Sequence, residues 1–335
     1  MNRLHGLTVD VTMKHYFAYI FLLLLLSSNI ACYKDDDIIL EKETIMWNDA
    51  IPDDGEDENT NSYTYKFVGA EKFLDLNQTT SGAQGSACYG DYFFQGYNTN
   101  SHMDVYNLKT GKYICRIQIS IPQKSTRYHV NTINFGNQFY NENDKFPVLY
   151  VCSGYTKDTS SSKSYVFVYR ILEEDECFKL ELIQTITLDF GSWTEAILDN
   201  DHNAIWIKSS PSICRKFQVP LISKGECNIS LNEGVLKEFN YGPQSFTSHD
   251  QGHLYYDDRI LLATGVPSWN EKIALVVINT LTGKMEAVVD LYDLGLFDAS
   301  NPQNNDFEPE GVIVYENEIM ICYRNAIYKL IRDEK

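Results

Sequence analysis

From Tyr63 onward the chain is a succession of short apolar runs rich in Val, Ile, Tyr and Phe, each broken by Gly, Asn, Asp or Lys, and no long stretch carries helical spacing. Runs of that length and composition, bounded by turn residues, predict an all-β body over residues 63–335. Comparing the chain with itself sharpens the expectation. Val105-Tyr106-Asn107-Leu108-Lys109-Thr110-Gly111-Lys112 aligns with Val277-Ile278-Asn279-Thr280-Leu281-Thr282-Gly283-Lys284, each a strand followed by a Thr-Gly-Lys turn into the next. Glycine there supplies a positive φ that other residues reach only with strain.

A second repeat stands upstream of each. Gln84-Gly85 precedes Ser86-Ala87-Cys88-Tyr89, Gln251-Gly252 precedes His253-Leu254-Tyr255-Tyr256, and Glu310-Gly311 precedes Val312-Ile313-Val314-Tyr315. A polar-Gly entry, two hairpin strands, a third strand and a tight turn into a fourth make one blade of a β-propeller. The units fall near 83–120, 129–188, 192–240, 249–291 and 308–331, the second stretched by a Ser-, Thr- and Lys-rich loop from Tyr155 to Ser164. Five blades are expected, with six the main competitor and a β-sandwich a further alternative. The last unit supplies three strands, so Tyr65 to Leu76 is expected to close the ring by pairing with the C-terminal blade, which removes exposed sheet edges.

The N-terminal pattern differs. Lys14 precedes a leucine run, Leu22 to Leu26, and small residues then lead to Cys32. The run is too short to span a bilayer and is flanked as a signal peptide is, so residues 1–31 are expected to be removed, Met13 being an alternative start. Cys32 would then carry the acyl chains of a lipoprotein. Residues 32–62 read as a lipidated cysteine and an acidic, self-repelling tether centred on Asp53-Asp54-Gly55-Glu56-Asp57-Glu58. Lys34-Asp35-Asp36-Asp37 resembles the export signal of surface lipoproteins in Bacteroidota. That resemblance implies an outer-membrane protein facing the cell exterior; the alternative is the periplasmic face.

The formal charge of -18 repels phosphate backbones and argues against nucleic-acid binding. Behind Cys32 the cysteine number is odd. Cys88, Cys152 and Cys322 sit inside apolar runs and read as buried thiols, Cys214 and Cys227 form the candidate disulfide, and CxxC metal spacing is absent.

In a propeller the first strand of each blade lines the channel, so residues at its entry converge. Here those entries carry Gln84, His129 with Asn131, Thr194 with Glu195 beside Trp193, His249 with Asp250 and Gln251, and Glu308 with Glu310. Gln84, His129, Asn131, Trp193, Glu195, His249, Gln251, Glu308 and Glu310 are therefore the candidate ligand-binding set, loop-borne on a rigid scaffold. The bland counterpart is that these groups only satisfy backbone or hold channel water, and that Trp193 packs between blades. The Gln-Gly entries, His129-Val130-Asn131-Thr132 and Phe307-Glu308-Pro309-Glu310-Gly311 together resemble five-bladed propellers similar to phage receptor-binding and teichoic-acid-glycosylation-type proteins, and surface lipoproteins of Bacteroidota, over residues 80–331. The resemblance implies a propeller and carbohydrate contact, and supplies no catalytic residue.

The leading functional expectation is a non-catalytic surface lipoprotein that binds a ligand, a glycan in the first instance, at the channel mouth, with no cofactor. An alternative is a hydrolase or lyase using two of Glu195, Glu308 and Glu310 as acid and base, or a divalent metal held by His129, His249 and a carboxylate. A protein-interaction scaffold is the third. No nucleophile elbow, HExxH, Asp-rich calcium loop or glycine-rich phosphate loop is present.

Overall fold

The computed structural model describes residues 65–76, 82–97, 102–120, 130–153, 163–190, 194–209, 212–231, 233–242, 249–296, 300–301 and 304–333. Cys32, the leader and the tether therefore lie outside the described residues, as do His129, Trp193 and most of the loop between Tyr155 and Ser164.

After a leading strand β1 (Phe67–Asp75), the strands fall into five sets. The first holds β2 (Ala83–Tyr89), β3 (Tyr92–Tyr97), β4 (His102–Asn107) and β5 (Lys112–Gln118). The second holds β6 (Val130–Phe135), β7 (Leu149–Ser153), β8 (Ser164–Glu174) and β9 (Cys177–Asp189). The third holds β10 (Glu195–Asp199), β11 (Ala204–Ser209), β12 (Ile213–Gln218), β13 (Glu226–Ser230) and β14 (Lys237–Asn240). The fourth holds β15 (Asp250–Tyr256), β16 (Arg259–Thr264), β17 (Ala274–Asn279) and β18 (Met285–Asp290); the fifth holds β19 (Pro309–Tyr315), β20 (Glu318–Tyr323) and β21 (Ala326–Arg332). Apart from β13, each set is an antiparallel meander, and β2, β6, β10, β15 and β19 are the inner strands, contacting one another in ring order. The described residues thus form a five-bladed β-propeller, not six blades and not a sandwich.

The ring closes as the sequence predicts. β1 pairs antiparallel with β21, from Phe67 opposite Arg332 to Asp75 opposite Ala326, and supplies the fourth strand of the last blade. Blade three departs from the simple meander. β12 pairs with β14, while β13 crosses over and lies parallel to β9, extending the second blade to five strands.

Apolar side chains alternate between the two faces of a strand, and in this ring both faces are covered. On β16, Ile260 and Leu262 pack toward blade three, with Trp206 and Tyr241, whereas Leu261 and Ala263 pack toward blade five, with Val312 and Ile321. The core is accordingly five inter-blade layers, one at each junction. That is why the sequence shows continuous apolar runs where a one-faced sheet would alternate.

The turn expectations hold. Gly111 and Gly283 have φ of 67° and 74°. The asparagine ahead of each caps the turn: Asn107 Oδ1 accepts from Thr110 N at 2.8 Å, and Asn279 Oδ1 from Thr282 N at 2.9 Å. The glycines of the polar-Gly entries have a different reason. A Cβ on Gly252 would stand 2.3 Å from Gly311 Cα, and one on Gly85 2.8 Å from the Asn131 carbonyl oxygen. The inner strands meet too closely at the axis for any side chain there.

The cysteine pairing differs from expectation. Cys115 on β5 and Cys177 on β9 form the disulfide, joining the fourth strands of blades one and two. Cys214 is buried in the layer between blades three and four, and Cys227 is carried to the second blade on β13, so the two are apart. Cys88, Cys152 and Cys322 are free thiols, as expected, with Cys88 only partly shielded.

Candidate functional site at the propeller axis

Five of the inner-strand entries bring polar side chains to one end of the axis. Gln84 on β2, Asn131 on β6, Glu195 on β10, Gln251 on β15, Glu310 on β19 and Glu308 just before it are all buried. Breaks in register beside Gly85, Asn131, Gln251 and Glu310 loosen the ladder there and turn these residues inward.

Two hydrogen-bonded clusters result. In the first, Asn131 Nδ2 and the Thr132 hydroxyl donate to the two oxygens of Glu195. Thr132 Oγ1 also stands 3.4 Å from Nδ1 of His253 on β15. Because the Thr132 hydroxyl spends its one hydrogen on Glu195, Nδ1 is the donor in that long contact and Nε2 is left as an acceptor. Lys208, opposite Glu195 across the β10–β11 pair, reaches Asp250. In the second cluster Arg324, which follows β20, donates to Glu308 and, at 3.0 Å from Nε, to Glu310 Oε1. Gln251 Nε2 donates to Glu308 Oε1 at 2.8 Å.

Burial governs the protonation of these groups. Desolvation drives the Glu310 carboxyl well above the ordinary range, the neighbouring Glu308 charge adds to this, and Arg324 opposes it. Glu195 and Glu308 are also raised, chiefly by burial. Burial keeps the His253 ring neutral by lowering it well below the usual imidazole value, and Lys208 reinforces the effect. Lys208 is itself held below its ordinary value by desolvation.

Four polar atoms at this end are buried without a hydrogen-bond partner: the acceptors Gln84 Oε1, Asp250 Oδ1 and His253 Nε2, and Glu310 Oε2, the oxygen left to carry the proton of the raised carboxyl. Among the described residues no three His, Cys, Asp or Glu side chains are grouped to hold a metal ion.

His249 lies at the rim of this end, near enough to Glu308 for its charge to act on that carboxyl, but outside the two buried clusters. Its half-exposed ring packs against Trp269 at 4.5 Å, and Nδ1 lies 2.7 Å from Glu271 Oε1. Glu271 also accepts from the His249 and Val266 amides at 3.0 Å, so this trio fastens the β16–β17 connection at the rim. The candidate set omitted His253, Lys208 and Arg324. The signal for them was faint: a basic residue at the edge or end of an apolar run.

No family model matches the chain, and no curated protein matches it. Similar solved structures include glutaminyl cyclase of Myxococcus xanthus, at 10% identity and a TM-score of 0.46, covering 80% of this chain and 97% of that one. A luciferin-regenerating enzyme is similar at 9% identity and 0.44, over 78% and 94% of the two chains. Apo AztD from Citrobacter koseri follows at 12% and 0.31, over 62% and 47%. These similarities are ones of chain path alone. What strand order and pairing establish is the architecture, a five-bladed β-propeller with a buried polar axis.

Proposed function

We propose that the protein is a surface lipoprotein that binds a hydroxyl-rich ligand, a glycan, at the polar end of the propeller axis. The observation that carries the binding reading is the set of four partnerless polar atoms drawn from three blades. Each buried polar atom left without a partner costs about 1–3 kcal/mol, and a ligand with several hydroxyls, each able to donate and to accept, supplies partners in a fixed arrangement. An amide, a carboxylate and an imidazole accepting from sugar hydroxyls, with the Glu310 carboxyl donating to another, fit that exchange, and the surrounding negative charge disfavours an anionic ligand. Glycan arrays followed by titration calorimetry test this. Gln84→Leu and Glu310→Gln are each expected to weaken the best glycan about tenfold, the value of roughly one hydrogen bond. An array without binders, or affinity untouched by both changes, removes the reading.

One observation favours a second reading, a hydrolase or lyase. Glu308 and Glu310 share Arg324, and burial leaves Glu310 the more proton-retentive of the two, which is the asymmetry an acid–base pair needs. Turnover of polysaccharide pools that disappears in Glu310→Gln would establish it in place of passive binding.

The anchor is Cys32, with the outer membrane as its partner and the cell exterior as the face presented. The Cys115–Cys177 disulfide supports an oxidising compartment. Metabolic labelling with an alkynyl fatty acid is expected to mark the wild-type chain and to be abolished by Cys32→Ser; labelling that persists in the variant rejects the anchor.

A further inference from the structure

The opposite end of the same axis carries a second site, and its chemistry is the reverse of the first. Each inner strand contributes residues from its later half to a cavity of about 320 Å³: Ala87 from β2, Asn134 from β6, Leu198 from β10, Leu254 from β15 and Ile313 from β19. That volume lies at the small end of the range for ligand pockets. No Asp, Glu, Lys, Arg or His lines it. The Cys88 thiol at its wall already donates to the Val314 carbonyl oxygen at 3.1 Å, and burial pushes it up to about 12, so the wall is neutral.

Two features go beyond a passive gap. Tyr89 and Tyr256 bring aromatic rings to the lining; Tyr89 is 38% exposed although it packs on Phe135 at 5.5 Å. In the lining, Asn134 is buried, its Oδ1 accepts from the Leu198 amide at 3.4 Å, and its Nδ2 is buried with no hydrogen-bond partner. A buried amide donor without an acceptor costs about as much as a lost hydrogen bond, and a ligand acceptor seated against it recovers that cost.

We propose that this cavity binds a neutral, largely apolar planar molecule bearing one carbonyl-type acceptor, with the acceptor on Asn134 and the planar body against the tyrosines. Asn137 and Asn200 also line the cavity, but their amide donors are taken by the Asn200 and Phe135 carbonyl oxygens at 2.9 Å, which leaves Asn134 as the orienting donor. Largely apolar walls with few orienting polar groups are the usual composition of a small-molecule pocket, and the tyrosine faces favour an aromatic plane. The inference stands apart from the glycan reading, because the two sites share no side chain named for either.

The probe is 6-propionyl-2-(dimethylamino)naphthalene, a neutral naphthalene ketone whose emission moves to the blue on leaving water, titrated against the full-length protein. Saturable binding with a blue shift is expected. Asn134→Leu removes the donor at similar volume and is expected to weaken binding about tenfold and to move the emission further to the blue. Tyr256→Ala, at a half-buried lining position on the margin of the layer between blades four and five, is expected to weaken binding several-fold, with circular dichroism showing that the protein stays folded. Glu310→Gln at the other end is expected to leave probe affinity unchanged, which keeps the two sites distinguishable. Absence of saturable binding overturns the proposal, and so does saturable binding that either cavity variant leaves unaltered.

Discussion

Glu310 has one oxygen on Arg324, the other without a partner, and no exposure to solvent. Its folded-state carboxyl is raised by burial first and by Glu308 second. The folded protein therefore holds a proton that the unfolded chain gives up more readily. That contribution to stability is complete below the ordinary carboxylate range and is lost as pH climbs through the raised folded value. Glu310→Gln cannot titrate, so the urea midpoint of the wild type should fall relative to the variant as pH rises above the ordinary carboxylate range. A constant difference across that rise would mean that Glu310 is already ionised. His253 acts in the other direction: its lowered value contributes above the ordinary imidazole range and is lost as pH falls, a loss common to both proteins. Of these residues Glu308 and Glu310 were legible in sequence because an acidic strand entry is conspicuous. His253 and Lys208 were not, since periodicity assigns a face to a residue within an apolar run and cannot say which end of the axis that face meets.

At the scale of elements, the glycine of each polar-Gly pair was readable because only glycine fits where two inner strands touch, as the 2.3 Å approach of a Cβ on Gly252 to Gly311 shows. The asparagine-capped Thr-Gly-Lys turns were readable for the same kind of local reason. β13 was not readable. Its exchange onto β9 is decided by a partner about forty residues upstream, and strand pairing at a distance leaves little imprint on local composition. The Cys115–Cys177 pair was hidden likewise: its cysteines are 62 residues apart and meet only because β5 and β9 are the fourth strands of adjacent blades. Closing a loop of that length is worth about 2–4 kcal/mol through the unfolded chain. Cys115→Ser with Cys177→Ser should lower unfolding stability by that amount, and dithiothreitol should lower the wild type while leaving the double variant where it is. Equal sensitivity of both proteins to the reductant would place the effect in some other bond.

For the whole molecule, five apolar layers stand between blades and no single centre exists, so each blade depends on both neighbours. Closure by β1 is what makes the dependence circular. Removing residues through Leu76 would strip Leu74 and Leu76 from the layer between blades five and one and uncover the edge of β21. An unprotected edge of this kind recruits other chains. The shortened protein is expected to elute as oligomers in size-exclusion chromatography or to be insoluble; a monomer with native near-ultraviolet circular dichroism would show β1 to be dispensable. Blade extents and the closing strand were legible because each is set by local runs and turns. The uncharged cavity at the far end of the axis was invisible, since the aliphatic and aromatic residues that line it have the same composition as the core.

The pairing of Phe67 with Arg332 also imposes a schedule. During synthesis β1 emerges with no partner and stays so until β21, on the far side of all the other described strands, has been made. Contacts between such distant parts of a chain form slowly. A nascent chain of this design can assemble its middle repeats early, but the ring closes only when β21 arrives.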